Sequence, residues 1–343
     1  MKPFTSIKLS LGRAKVLSVL AVIILVLPVV LMAIRRQGSQ TLVPNTPFHE
    51  PLRERVTSNL NRGKLCFLRD QWIYVKDLAS GKETKLVEGV SPRLAPTGEY
   101  LLFLSITEKD GPLGRLVPPL GRLRLLKLQT MEISTWDSLR QARVRDAEWS
   151  SKSKIALVVV ENDRKERAIA MLDPVTGKLE KKITADWGAL IGDQGIYLDS
   201  WTPGNHSVLF HTLHALYEAN FENGLIEKIT VDQLFEKGGI SSGTKFLLSS
   251  DRRYLLFDRM IDTTDEPQKQ VISVYDFAAR TLRRITPKNI QGSSAVWLND
   301  QILFTKIDNV EEHLAFSICK INLDGTGLTT VVQNADYVSY AAK

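Results

Sequence analysis

Two hydrophobic patterns divide the chain. Val16 opens and Ile34 closes a run of nineteen residues without a charge, VLSVLAVIILVLPVVLMAI. At about 1.5 Å per residue a helix over it reaches roughly 28 Å, about one hydrocarbon core. Pro28 lies inside it, which spanning helices tolerate. From Lys64 onward no long stretch has 3.6-residue periodicity; short β-branched and aromatic runs alternate with turn signals, which predicts strands.

Those runs repeat. A large apolar anchor, a polar turn of Ser, Pro, Asp and Gly, and an apolar strand recur with anchors at Leu94, Trp149, Trp201, Leu248 and Trp297, spaced 55, 52, 47 and 49 residues. Between them falls a second signal, a strand, a tight polar turn and a strand, as around Asp77–Lys82, Asp173–Lys178, Asn220–Gly224, Asp276–Thr281 and Asn322–Thr326. Asp, Asn and Gly supply the positive φ or the side-chain hydrogen bonds that hairpins need. Two hairpins per period make a four-stranded sheet, which buries both faces only when packed radially against like sheets. Units beginning near residues 91, 146, 197, 244 and 293 give five. The sixth is split, one strand from the tail 335–340 and the rest from 65–67 and 72–86. The expected fold is all-β, a six-bladed propeller closed by pairing its N- and C-terminal strands.

Charge sharpens the reading of the N-terminus. Lys and Arg number 45 against 38 Asp and Glu, a formal +7. Six of the bases, Lys2, Lys8, Arg13, Lys15, Arg35 and Arg36, precede the first carboxylate, Glu50, and the remainder balances to +1. The globular part therefore lacks the basic footprint of nucleic-acid binding. The apolar run exceeds the usual ~7–15 residues of a signal-peptide core and has no A-x-A exit, so an uncleaved anchor is favoured over a cleaved leader. More base on its N-terminal flank places that end in the cytoplasm. The expected organisation is a cytoplasmic segment over 1–15, a transmembrane helix over 16–34, a Pro- and Gly-containing tether over 35–62 with a short helix over 51–61, and the propeller over 63–343 on the periplasmic or extracellular side.

The turns carry a resemblance. Ser250-Asp251-Arg252-Arg253-Tyr254-Leu255-Leu256-Phe257, with Pro96-Thr97-Gly98 and Pro203-Gly204-Asn205 as variants, is similar to the repeat of the TolB-like propellers over residues 64–343. The matched residues are turns and core, so the resemblance implies architecture. TolB itself resembles a soluble periplasmic protein with an α/β domain where this chain has an anchor and tether. Prolyl-oligopeptidase relatives carry a hydrolase domain beside their propeller, and no G-x-S-x-G elbow is expected in this chain, so that function does not transfer.

Candidate chemistry is sparse. His206, His211 and His214 cluster, but strand alternation turns His211 and His214 to opposite faces unless the strand ends between them. Asp146, Asp199 and Asp251 fall near the inner strands, as acid–base candidates or as turn residues. Trp149, Trp201 and Trp297 share one repeat position and read as packing between blades. Cys66 and Cys319 lie on ring neighbours, either a staple or buried small hydrophobes. No cofactor or metal site is expected. The unusual surface is an apolar Pro/Gly-rich insertion, 111–121, within a basic stretch: Arg115, Leu116, Val117, Leu120, Arg122 and Arg124 are its candidate binding residues, for lipid headgroups or a protein, against an ordinary hairpin loop.

The sequence thus points to a membrane-anchored, extracytoplasmic, non-catalytic scaffold for a protein, peptide or glycan, with a protein partner in the cell envelope expected. The alternative is a hydrolase or lyase working at the channel mouth, which requires histidines and carboxylates to converge there.

Overall fold

The apolar runs Leu101–Leu104, Ile155–Val158, Val208–Phe210, Leu255–Phe257 and Ile302–Phe304 are buried on both sides, which only a sheet flanked by two others allows. A computed structural model describes residues 63–105, 122–139, 143–161, 166–183, 185–191, 195–231, 234–235, 239–262, 268–310 and 313–341. They belong to the unit Thr57–Lys343. The expected transmembrane run 16–34, the tether and its short helix lie outside the described residues. Among the described residues no helix is long and apolar enough to cross a membrane.

Among the described residues, twenty-four strands form six four-stranded antiparallel sheets. Blade 6 is split, with β1 (Lys64–Arg69), β2 (Trp72–Asp77) and β3 (Glu83–Glu88) from the chain start. Blade 1 is β4 (Val90–Leu94), β5 (Tyr100–Ser105), β6 (Arg122–Lys127) and β7 (Glu132–Ser134). Blade 2 is β8 (Arg143–Trp149), β9 (Ile155–Glu161), β10 (Glu166–Leu172) and β11 (Leu179–Ile183), followed by the short helix α1 (Trp187–Ile191). Blade 3 is β12 (Tyr197–Trp201), β13 (Ser207–His211), β14 (Leu216–Asn220) and β15 (Ile226–Ile229). Blade 4 is β16 (Leu247–Leu248), β17 (Tyr254–Ile261), β18 (Lys269–Asp276) and β19 (Thr281–Arg284). Blade 5 is β20 (Gln291–Leu298), β21 (Gln301–Val310), β22 (His313–Asn322) and β23 (Thr329–Gln333). The last strand, β24 (Asp336–Ala341), returns to blade 6 and pairs antiparallel with β1, Lys64 opposite Ala341 and Leu65 opposite Tyr340. The ring closes as the repeats predict.

Alternation along each central strand explains the core. Leu101 and Phe103 face blade 6 while Leu102 and Leu104 face blade 2. The same parity recurs around the ring, so six apolar clusters form, one at each junction between blades. The anchor tryptophans knit the junctions further. Trp149 Nε1 donates to the Arg93 carbonyl, Trp201 Nε1 to that of Glu148 and Trp297 Nε1 to that of Leu247, each at 3.0 Å. This confirms their reading as inter-blade packing.

The sheets have two unlike edges. First-to-second and third-to-fourth strand turns fall on one face of the ring, where no connection exceeds six residues. Second-to-third loops and blade-to-blade connections belong by strand order to the other, including every one longer than six residues, 106–121, 135–142, 184–196, 230–246 and 262–268, but 135–142 reaches back to the tight-turn end of blade 2, where Trp136 Nε1 donates to the Pro174 carbonyl at 3.0 Å. On the tight-turn face Gly177 is obligatory: its φ is +68° and an added Cβ would lie 2.4 Å from Trp136. Cys66 and Cys319 are free buried thiols in different clusters and do not form the staple; burial pushes the Cys66 thiol well above its ordinary range.

Candidate functional site

The first strand of each blade lies innermost and lines the central channel. In β4, β8, β12 and β20 the register slips by a bulge near the long-connection end, as it does where β24 meets β1. Ser91, Ser294 and Tyr337 take φ of 51°, 50° and 60° at these bulges. A bulge re-aims side chains, here toward the channel.

Five blades contribute to one polar network there. Arg93 (β4) donates through Nε to Glu148 Oε1 (β8) at 2.6 Å and through Nη2 to Tyr337 Oη (β24) at 2.8 Å, with its guanidinium 4.8 Å from the Tyr337 ring centre. Lys245, two residues before β16, donates Nζ to Asp146 Oδ2 and to the Leu198 carbonyl, and lies 3.4 Å from Glu148 Oε1. Two carboxylates thus face two cations. The Lys245, Asp146 and Glu148 side chains retain 18%, 17% and 15% exposure, so the network is recessed yet reachable. Burial opposes the Lys245 charge, but Asp146 and Glu148 outweigh it and hold the ammonium above its usual range.

Lys245 reaches the channel on an irregular segment. Blade 4 was expected to begin near residue 244, but its inner strand is only Leu247–Leu248, and 239–246 runs in without a strand ladder. Side chains replace the missing partners. Asp199 Oδ1 accepts Phe246 N at 3.1 Å, Asp258 Oδ1 accepts Lys245 N at 3.4 Å, and Thr244 Oγ1 donates to the Asp258 carbonyl at 3.1 Å. Ser200 Oγ donates to the Phe246 carbonyl at 2.9 Å. Gln270 Nε2 donates to Asp258 Oδ2. Burial raises both carboxyls, Asp258 to about 6.

His211 completes this support. Its Nδ1 meets Asp199 Oδ1 at 2.9 Å and Nε2–H donates to the Ser241 carbonyl at 3.1 Å, with both side chains at 0% exposure. Ser241 is the centre of Gly239-Ile240-Ser241-Ser242-Gly243, a G-x-S-x-G spacing that corrects the expectation that the chain has none; no strand–turn–helix context surrounds it. The geometry is not that of a hydrolase triad. Nε2 engages the Ser241 carbonyl, not the hydroxyl, and a ring nitrogen donating to a carbonyl cannot take a serine proton.

The three histidines do not converge. His206 is exposed on the tight-turn face, Nδ1 2.6 Å from Glu222 Oε1, and His214 is exposed in the loop after β13. The three aspartates separate as well: Asp146 lines the channel, Asp199 is buried beneath it, and Asp251 accepts Ser249 Oγ and Arg253 N in an exposed turn. Of the loop candidates, Arg115, Leu116, Val117 and Leu120 lie outside the described residues. Arg122 opens β6, exposed, and Arg124 donates Nε to Ser105 Oγ at 3.4 Å; both border the insertion on the long-connection face. Among the described residues no cluster of three His, Cys, Asp or Glu could hold a metal. Arg93 and Lys245 carried no signal in the sequence, where they are single polar residues before apolar anchors.

No family model matches the chain, and no curated protein matches it in sequence. TolB from Acinetobacter baumannii is similar in structure, with a TM-score of 0.56 and 14% identity over 82% of this chain and 67% of that one. A structure from Agrobacterium tumefaciens designated TolB gives 0.55 and 17% over 82% and 99%. At these identities the likeness establishes the six-bladed propeller fold.

Proposed function

We propose that the chain is a membrane-anchored, extracytoplasmic propeller that binds a protein partner of the cell envelope without catalysing a reaction. The observation that carries this reading is the asymmetry of the two faces. The longer connections belong by strand order to one face, and Leu213, Met260 and Leu314, exposed by 43%, 38% and 60%, stand at the second-to-third-strand ends of three successive blades on that face. An apolar arc over a rigid ring suits a protein partner. On the opposite face Met131, Val175, Leu225 and Leu328 sit in third-to-fourth-strand turns at the outer rim of blades 1, 2, 3 and 5, with Ile133 beside Met131 on β7, away from the inner strands. The structural likeness to TolB propellers is compatible with this role. The closed Asp199–His211 pair gives the hydrolase alternative no support.

Affinity capture from detergent-solubilised membranes tests the proposal. Leu213→Asp with Leu314→Asp, or deletion of 111–121, should leave a folded propeller and lose the co-purifying partner; Val175→Asp should retain it. Unchanged capture by the first two variants would refute the assignment of this face.

A further inference from the structure

The channel network has an internal occupant. Asp146 and Glu148 of blade 2 and the Leu198 carbonyl of blade 3 converge on one ammonium, and that ammonium belongs to blade 4, one blade beyond Leu198 and two beyond the carboxylates. The backbone that carries it is fixed on either side. Gly239 is locked against β17, where its carbonyl accepts Met260 N at 2.8 Å, and Phe246 is fully buried with its ring 5.2 Å from that of His211. From this support Lys245 reaches Asp146 and the Leu198 carbonyl on a flexible four-carbon stem. The side chain can leave while the backbone stays.

We propose that Asp146, Glu148 and the Leu198 carbonyl form a binding site for a cationic group, and that Lys245 fills it until a basic side chain or terminal amine of the partner takes its place. Charge decides the class of ligand. The network holds two carboxylates and two cations, so exchanging one ammonium for another leaves it balanced. An anion entering would face Asp146 and Glu148, and a cation added without displacing Lys245 would face Lys245 and Arg93. Arg93 stays in place, bound to Glu148 and Tyr337, and orients the shared carboxylate. The inference gives chemistry to the binding role proposed above, and rests on it only for the identity of the partner.

The test therefore separates the two. In the purified full-length chain, Lys245→Ala should empty the site, and n-butylammonium chloride should refill it. At about 50 mM amine the variant's melting temperature should rise several degrees above that in equal sodium chloride, by ligand linkage. Wild type should not respond, and adding Asp146→Asn to Lys245→Ala should abolish the response. Should Lys245→Ala not fold, Lys245→Gln keeps the stem and serves the same purpose. In parallel, a fluorescein-labelled Lys-Lys-Lys-Lys-Gly peptide should bind the Lys245 variant at least ~10-fold more tightly than wild type, a difference of about 1.4 kcal/mol. Equal amine responses in wild type and variant, or a response that survives Asp146→Asn, would overturn the site. Loss of partner capture with the amine response intact would count against the scaffold reading alone.

Discussion

Trp201 shows how one residue type serves two roles at a blade junction. Its ring stacks on Phe221 with centroids 5.3 Å apart, and its indole N–H reaches the Glu148 carbonyl of the preceding blade. Trp201→Phe keeps most of the packing and removes the hydrogen bond, so the loss should be about 1–2 kcal/mol in urea unfolding. Asp258 makes a prediction of a different kind. Its folded carboxyl titrates near 6 against an ordinary 3.8, because burial penalises the charge. The folded state therefore holds this proton more tightly than the unfolded chain. The associated stability is present below about pH 4 and is lost as pH rises through about 6. Asp258→Asn removes this dependence: relative to wild type it should gain about 1–3 kcal/mol between pH 4 and pH 8, read from denaturation curves at both.

At the scale of elements, the irregular segment of blade 4 is where local pattern and tertiary structure part. The Leu248 anchor and the Ser-Asp turn after it follow the repeat, so the blade was legible. The two-residue length of its inner strand was not, because the carboxylates that replace the ladder come from Asp199 on another blade and Asp258 on the next strand. Gly239 anchors the segment, with a φ of +90° and room for no Cβ, since one would lie 2.1 Å from the Met260 carbonyl oxygen. Gly239→Ala should cost roughly 1–3 kcal/mol for the strained φ, with more from the clash, and should raise amide exchange across 239–246 before the rest of blade 4. The charged channel residues were illegible for a related reason. Arg93, Glu148, Lys245 and Tyr337 lie far apart in the chain, and only ring closure brings them together. The apolar runs, by contrast, announce their strands because both alternating faces must be buried.

For the whole molecule, closure is the cooperative step. β24 covers one edge of β1 and contributes Val338 and Ala341 to two separate junction clusters. Deleting 336–343 leaves an unpaired edge and opens both junctions, a loss of several kcal/mol against a typical total of about 5–15. That truncation should abolish cooperative unfolding by calorimetry, whereas deleting the 111–121 insertion should not. A ring so closed holds its two faces fixed relative to each other, which is what lets one face specialise. The sequence reading found the insertion by its composition but missed that the connections between blades share its side of the ring. Which side a loop occupies follows from strand order, and that order becomes certain only once β24 is seen to pair with β1.

Site-specific photo-crosslinking in intact membranes tests the division of the faces most directly. A photoreactive residue placed at Leu213 or Leu314 should yield a discrete partner adduct, and one placed at Val175 or Leu328 should yield none. Adducts confined to Val175 and Leu328 would contradict the account.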